Sequence, residues 1–161
     1  MKNISEKAYV MNYIIRPMEK KDIVQVTEIE KSIYSIPWSA NSFIEASEND
    51  NNIYLVCIEN DVVTGYCGLW TVLGEGNITN IAVTNTHRGK GYGRALLKEL
   101  ENRGREKAVS KYFLEVRLSN VIAQNLYYSL EYEKIGIRKN FYERPAEDAI
   151  IMSKDSIPLM K

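Results

Sequence analysis

The 161-residue sequence predicts a mixed α/β fold, a sheet of about six to seven strands flanked by about four helices. Three observations lead there. Segments with apolar residues at helical spacing alternate with short β-branched and aromatic runs. Two of those runs are joined by GluAsnAsp alone, the mark of an antiparallel hairpin. One β-rich run passes through a glycine cluster directly into a strong helix former. Periodicity does not fix the order in which the strands pair.

Along the chain, residues 1–10 lack periodicity and are expected to be a loose extension of a single domain over 11–161. A strand begins at Tyr13 in TyrIleIleArg. Ile23, Val26, Ile29 and Ile33 carry helical spacing over about 20–34, and Pro37 bars its continuation. Ser39 is a candidate N-cap for a second helix through Phe43 and Ile44, which gives out in the polar run at 48–52. The hairpin strands are 53–58 and 62–70, and IleThrAsnIleAlaVal at 78–83 follows Gly74 and Gly76 as the next strand. The alanine, leucines and paired charges after Gly93 favour a helix to about Lys107. A strand at 112–118 comes next. A helix from Asn120 to Leu130 then carries Ala123, Leu126, Tyr127 and Leu130 on one face, and two final strands are expected near 132–141 and 148–153.

Composition narrows the function. The chain is 45% apolar and 26% charged, ordinary for a globular domain, and its 21 cationic and 21 acidic residues cancel. Without excess positive charge, direct nucleic-acid binding is disfavoured. No apolar run approaches the ~20 residues of a bilayer span, and the first eighteen residues have no unbroken apolar core of a signal peptide. A cytoplasmic protein without membrane attachment is therefore expected. Cys57 and Cys67, separated by nine residues within apolar stretches, read as buried thiols rather than a redox or zinc pair. His87 is the one histidine, so a metal site has no visible foothold. The cancelled charge is unevenly spread: nine acidic and three basic residues lie between Glu19 and Asp61, against nine basic and four acidic between His87 and Arg117, with histidine taken as neutral. Such asymmetry suits an anionic ligand held by the middle of the chain and a cationic partner met by its front.

ArgGlyLysGlyTyrGly at 88–93 lies where a strand meets a helix, an arrangement that gathers free main-chain N–H groups and a positive helix end at one point. Gly89, Gly91 and Gly93 permit the positive φ angles of an amide nest and close approach by a phosphate; Arg88, Lys90 and Arg94 add charge. The P-loop pattern is absent, because the lysine falls among the glycines with no Ser or Thr after it. The dinucleotide fingerprint fits poorly, its third glycine one position early and Glu115 lying 26 positions after Gly89.

An Arg or Gln, two free positions, Gly, one free position and then Gly or Ala is the acetyl-coenzyme A signature of the GCN5-related N-acetyltransferases, and Arg88, Gly91 and Gly93 resemble it. The likeness extends over nearly all of the chain after Met11. IleProTrpSer at 36–39, AsnIleAlaVal at 80–83, LeuGluValArgLeuSerAsn at 114–120, LeuTyrTyrSerLeu at 126–130 and GluAspAlaIleIleMet at 147–152 are similar to the bacterial ribosomal-protein-alanine N-acetyltransferases within that family. The resemblance implies acetyl-coenzyme A as cosubstrate, held by Ile81, Ala82, Val83, Arg88, Gly89, Lys90, Gly91, Tyr92, Gly93, Arg94 and Asn120, with Glu115 as general base and Tyr127 as general acid. It also implies the family's central mixed sheet, twisted and mostly antiparallel, and an acceptor that is a protein N-terminus, here that of a small-subunit ribosomal protein. One departure stands out: Glu131 occupies the place of a glycine that usually ends the helix in a left-handed conformation.

The chemistry is consistent with these residues. An α-amine of pKa about 8 is neutral several hundred times more often at pH 7 than a lysine amine of about 10.4, which favours an N-terminus over a lysine side chain or a small amine. An unperturbed Glu115 at ~4.3 would take the ammonium proton against about 5 kcal/mol, so it needs partial desolvation or a water relay. Tyr127 at ~10 would protonate a thiolate of ~8.5 against about 2 kcal/mol. Tyr128 is its rival, but Tyr127 shares the helix face of Ala123. Main-chain N–H groups near Val83 are candidate oxyanion donors if the strand splays or bulges there. Trp38 and Tyr142 are candidates to line the acceptor groove. Neither cysteine sits beside the histidine in sequence, so one direct transfer without a covalent intermediate is expected. A monomer or weak dimer is expected. A coenzyme A-binding module without catalysis stays open.

Overall fold

The computed structural model describes residues 12–157; the expected extension at 1–10 lies outside them. Seven strands form one sheet in the order β1-β2-β3-β4-β5-β7-β6: β1 (Tyr13–Pro17), β2 (Asn52–Glu59), β3 (Val62–Val72), β4 (Glu75–Val83), β5 (Lys111–Arg117), β6 (Glu133–Glu143) and β7 (Ala146–Asp155). Every neighbouring pair is antiparallel except β4 and β5. The helices are α1 (Ile23–Ile33), α2 (Ala40–Glu48), α3 (Tyr92–Glu106) and α4 (Val121–Ser129), with 3₁₀ turns over Lys20–Asp22 and Asn85–His87. No helix among the described residues is long and apolar enough to cross a membrane.

Both faces of the sheet are covered, which is why residues 53–57 are buried without a break instead of alternating. On one face Leu96, Leu97 and Leu100 of α3, with Tyr127 of α4, pack on Leu55, Cys57, Cys67, Leu69, Leu114 and Val116. On the other, Val26 and Ile29 of α1 and Phe43 of α2 pack on Tyr54, Val56, Tyr66 and Ala82. Cys57 and Cys67 are free and buried, as their apolar setting predicts, and burial pushes both thiols up.

A partly buried ion pair joins β1 to the 3₁₀ turn that leads into α1. Arg16 donates Nη1 to Asp22 Oδ2 at 2.7 Å and Nη2 to Oδ1 at 2.9 Å, and the Glu19 N–H adds a third bond at 2.8 Å. Burial alone would raise the Asp22 carboxyl; these donors outweigh it and hold the group below its ordinary 3.8. Asp22→Ala is expected to lower unfolding stability by about 2 kcal/mol in urea titrations, less than for a fully enclosed pair because Arg16 is partly exposed. A depressed carboxyl stabilises above its unfolded value and stops doing so as pH falls through the folded one. The difference between the two proteins should therefore shrink below about pH 4.

The start of β4 differs from the sequence expectation at a glycine, and the end of α4 forms without the glycine usual there. β4 starts at Glu75, not at 78, because Gly76 is not a turn residue: a Cβ there would meet Leu69 Cδ1 at 2.9 Å and Val109 Cγ1 at 3.1 Å, so the glycine allows close packing within a strand. At the end of α4, Glu131 adopts φ 72°, with its N–H bonded to the Tyr128 carbonyl at 3.0 Å and the Tyr132 N–H to the Tyr127 carbonyl at 3.0 Å. This is the Schellman pairing, kept without its glycine. Glu131→Gly is expected to raise stability by about 1 kcal/mol, read as a higher Tm.

Candidate functional site

The parallel pair β4 and β5 is joined at Glu75–Lys111, Gly76–Tyr112 and Asn77–Phe113 only, and beyond those residues the strands part. A bulge accompanies the parting. Against β3, Asn80 faces Gly68 and Ile78 faces Leu69, which leaves Thr79 as the extra residue. Because of it Ile78 and Ile81, three apart, both pack on the α3 side, while Asn80 and Ala82 lie on the α1 side or at its border. The splay or bulge on which the Val83 oxyanion donors are conditional occurs earlier in the strand, where β4 parts from β5 after Asn77 and bulges at Thr79.

Main-chain directions along β4 follow from the bonds at its end. The Thr84 N–H donates to the Thr64 carbonyl on the β3 side at 2.8 Å, so by alternation the N–H and C=O groups of Ile81 and Val83 turn toward the opening. Two contacts agree: the Tyr34 hydroxyl donates to the Ile81 carbonyl at 2.8 Å and Arg88 Nε to the Val83 carbonyl at 3.2 Å. Ala82, by the same alternation, directs its main chain to β3.

The glycine turn follows directly. Gly89 and Gly91 have φ of 76° and 85°, and Gly91 is the residue that caps α3. Among the described residues none of the seven N–H groups from Arg88 to Arg94 has an acceptor; the first that does is Ala95, to the Gly91 carbonyl at 3.0 Å. A Cβ at Gly89 would meet nothing within 4 Å, so the turn is open on its outer side. The positive helix end and unclaimed amides fit a phosphate group. Gly93 differs: it is helical, and a Cβ there would only touch Leu126 and Val83 at 3.4 and 3.9 Å. Tyr92 contributes its main chain alone, because its ring is buried edge-on to Tyr13 at 5.0 Å. His87 braces the turn, with Nε2 3.0 Å from Glu59 and Nδ1 2.8 Å from Thr84. Arg94 reaches α4, donating to Ser129 Oγ at 2.7 Å, whereas Lys90 is exposed.

The opening between the strands holds a cleft of about 320 Å³ lined by Glu115 and Tyr127, by Ile81 and Asn120, and by Trp38 and Tyr142. Six of the residues singled out in the sequence thus meet in one place. On β5 Leu114 and Val116 face the α3 core and Glu115 the other side, as alternation requires. Glu115 keeps 30% of its side-chain surface exposed and lies 3.9 Å from Arg138 Nε. Arg117 is not its partner: that guanidinium stacks 4.2 Å over the Tyr142 ring, pairs with Glu147 at 3.2 Å and donates to the Pro145 carbonyl at 3.0 Å, pinning the β6–β7 turn to the cleft rim. Burial pushes the Tyr142 phenol up to about 12, and the nearby Glu115 charge adds to this.

Tyr127 is 6% exposed, Tyr128 47%, so the helix face assigned from spacing is the buried one. Burial, with Tyr34 and Tyr142 close by, raises the Tyr127 phenol well above its ordinary range, which makes it a weaker acid than an unperturbed tyrosine. Asn120 caps α4, its Oδ1 accepting the Ala123 N–H at 3.1 Å. Trp38 stacks within an aromatic group formed by Phe43, Tyr54 and Trp70, at 5.3 to 6.3 Å, and turns another part of its surface to the cleft.

Sequence reasoning missed Glu30 and Asn80. Glu30, 2% exposed, lies on the cleft wall and accepts from the Tyr66 hydroxyl and from the Trp38 N–H at 3.2 Å. Burial raises its carboxyl, against the pull of the Tyr66, Trp38 and Asn80 donors. Its signal was available: Glu30 stands four residues after Val26 and three before Ile33, inside the apolar stripe of α1. A raised carboxyl costs stability as pH climbs through the interval above its unfolded value of about 4.5. Glu30→Gln should remove that dependence, so the difference in Tm between mutant and wild type is expected to shift in the mutant's favour from pH 4 to pH 7. A pH-independent difference would contradict the assignment.

Main-chain amides without acceptors at the start of α3, and a carboxylate and a phenol in the cleft between the parted strands, are a set of groups that suits an acyl-transferring class of enzyme. The comparisons place the chain within it: residues 23–132 match the acetyltransferase (GNAT) family, and the chain belongs to that family. It is an acetyl-transferring enzyme. It is 41% identical over 139 residues to a Bacillus subtilis protein provisionally named ribosomal protein bS18-alanine N-acetyltransferase, covering 86% of this chain and 92% of that one. A Haemophilus influenzae protein named ribosomal protein bS18-alanine N-acetyltransferase is 35% identical over 143 residues, covering 87% and 97%. The crystal structure of the ribosomal-protein-S18-alanine N-acetyltransferase from Escherichia coli superposes with a TM-score of 0.82 at 31% identity, covering 92% of this chain and 96% of that one.

Proposed function

We propose that the protein acetylates the α-amine of a protein N-terminus, that of a small-subunit ribosomal protein of the bS18 kind, using acetyl-coenzyme A. The observation that carries this reading is the row of unclaimed amides from Arg88 to Arg94 beside a cleft that contains Glu115 and Tyr127. The names of the relatives supply the acceptor.

Acetyl-coenzyme A brings a thioester, whose carbonyl carbon is attacked and whose thiolate departs. The amides of 88–94 hold its pyrophosphate, and Asn120 lies at the cleft along the same side. The N–H groups of Ile81 and Val83 face the developing oxyanion. Glu115 takes the proton lost by the attacking amine, directly or through water, its partial exposure leaving a relay open. Tyr127 donates a hydrogen bond or its proton to the leaving sulfur. Both thiols are buried and pushed up, which favours direct transfer over an acetyl-cysteine intermediate. The acidic residues of 19–61 suit a basic ribosomal-protein tail, so peptide affinity should fall with added salt. A ribosomal acceptor would put the reaction in the cytoplasm.

The deciding experiment measures thiol release with an Ala-initiated bS18 peptide and with its N-blocked, lysine-containing version. Turnover of the first alone supports the proposal; turnover of the second makes the enzyme a lysine acetyltransferase, and release with neither leaves a binding module. The amide turn has its own test. Gly91→Ala forces a side chain into a φ of 85° and should raise the half-saturation concentration of acetyl-coenzyme A about tenfold, while Gly93→Ala, whose Cβ meets only ordinary contacts, should change it less than twofold.

A further inference from the structure

Among the described residues two buried side-chain polar atoms have no hydrogen-bond partner, Arg105 Nε and Asn80 Oδ1, and of these residues Asn80 lines the cleft. Asn80 is 6% exposed. An amide oxygen left unpaired in such a place costs about 1–3 kcal/mol, and one that persists on a cleft wall calls for a donor from a ligand. The orientation of the amide is not arbitrary. The amide lies near the Glu30 carboxylate, which Tyr66 and the Trp38 N–H fix in place, and a carboxylate favours the amide NH2 over the amide oxygen on its side, so the oxygen is the end left without a partner.

The ligand that supplies the donor follows from the side of the sheet. The main-chain turn at 88–94 and the apolar side chains of Ile81 and Val83 lie with α3 and α4, where the coenzyme approaches. Asn80 lies with Glu30, Tyr34 and Trp38 on a cleft wall that also includes Tyr142 near the end of β6, and this is the acceptor side. We infer that Asn80 Oδ1 accepts the N–H of the acceptor's first peptide bond and so selects α-amines over lysine side chains. The inference rests on the acceptor assigned in the preceding subsection. The attacking nitrogen must direct its lone pair at the thioester and its proton toward Glu115, so the next donor along any peptide N-terminus is that amide N–H, three bonds away. A lysine side chain has only methylenes there. A site built to bond an N–H discriminates against a substrate lacking it more strongly than an apolar pocket does, because its own acceptor stays unpaired.

The test compares an Ala-initiated peptide with its depsipeptide analogue, in which an ester oxygen replaces the first amide N–H, at pH 9 where both amines are largely neutral. With the wild-type enzyme the ester should lower kcat/KM about tenfold. Asn80→Leu should lower kcat/KM for the amide peptide by a similar factor, lose little more with the ester, and leave half-saturation by acetyl-coenzyme A unchanged. Losses that multiply in the double comparison, or a change confined to acetyl-coenzyme A, would overturn the inference. Should Asn80→Leu fail to fold, the wild-type comparison decides alone: equal turnover of amide and ester refutes it. Wild-type enzyme inactive on both peptides would overturn the acceptor reading itself and this inference with it, a result distinct from turnover with independent losses.

Discussion

Glu115→Gln is expected to lower kcat by about 10²- to 10³-fold with little change in the half-saturation concentration of acetyl-coenzyme A. The loss should be kinetic alone. The side chain is partly exposed, its nearest cation is Arg138 at 3.9 Å, and Glu147, not Glu115, holds Arg117; pairs of this kind contribute under about 1 kcal/mol to folding. The pH profile separates a base from a merely polar residue. Without a group to receive the proton, the variant can use only the acceptor that is already neutral, so its residual rate should rise about tenfold per pH unit until the α-amine titrates near 8. The wild-type rate should rise less steeply over the same range. A variant with wild-type kcat and an unchanged profile removes Glu115 from the reaction and leaves the cleft to bind rather than catalyse.

How much of this was legible in the sequence depends on which interaction sets each feature. The elements were, because local spacing dictates them: Val26, Ile29 and Ile33 on α1, the GluAsnAsp turn between β2 and β3, and Ala123 with Tyr127 on α4 all lie in the structure where their periods require. Pairing order was not. The insertion of β5 between β4 and β7 is a long-range choice that no local period records. The first residues of β4 were misread because glycine signals turns and close packing alike, and Gly76 serves the second purpose. Those same residues make the parallel pairing with β5, so the hinge of the cleft was the part least visible. Asn80 escaped for a related reason. Strict alternation cannot bury both Ile78 and Ile81 on one face, and the bulge at Thr79 that reconciles them decides what Asn80 meets. The residues of the glycine turn were visible since the amide nest is local; that Ala82 and the Tyr92 ring turn away needed the sheet.

Tyr127→Phe is expected to lower kcat about 10²-fold while leaving stability unchanged or slightly raised, because among the described residues the hydroxyl bonds to nothing and the ring keeps its edge-on contact with Tyr132 at 6.0 Å. The buried phenol sharpens what the role can be. An unperturbed tyrosine already stands about 2 kcal/mol uphill from a thiolate, and burial raises Tyr127 further, so full proton transfer to coenzyme A thiolate is costlier than for a solvated phenol. The same burial keeps the group protonated throughout the working range, always ready to donate a hydrogen bond to the departing sulfur. Two consequences distinguish this from an acid that must titrate. The wild-type rate should show no alkaline decline attributable to Tyr127 up to pH 10, since a raised phenol loses its proton only above that range. Thioesters with more acidic leaving thiols, which need less help, should narrow the gap between Tyr127→Phe and wild type. A gap that stays constant across leaving groups would place the hydroxyl in substrate binding instead, and the proton for the thiolate would then have to come from solvent reaching the partly open cleft.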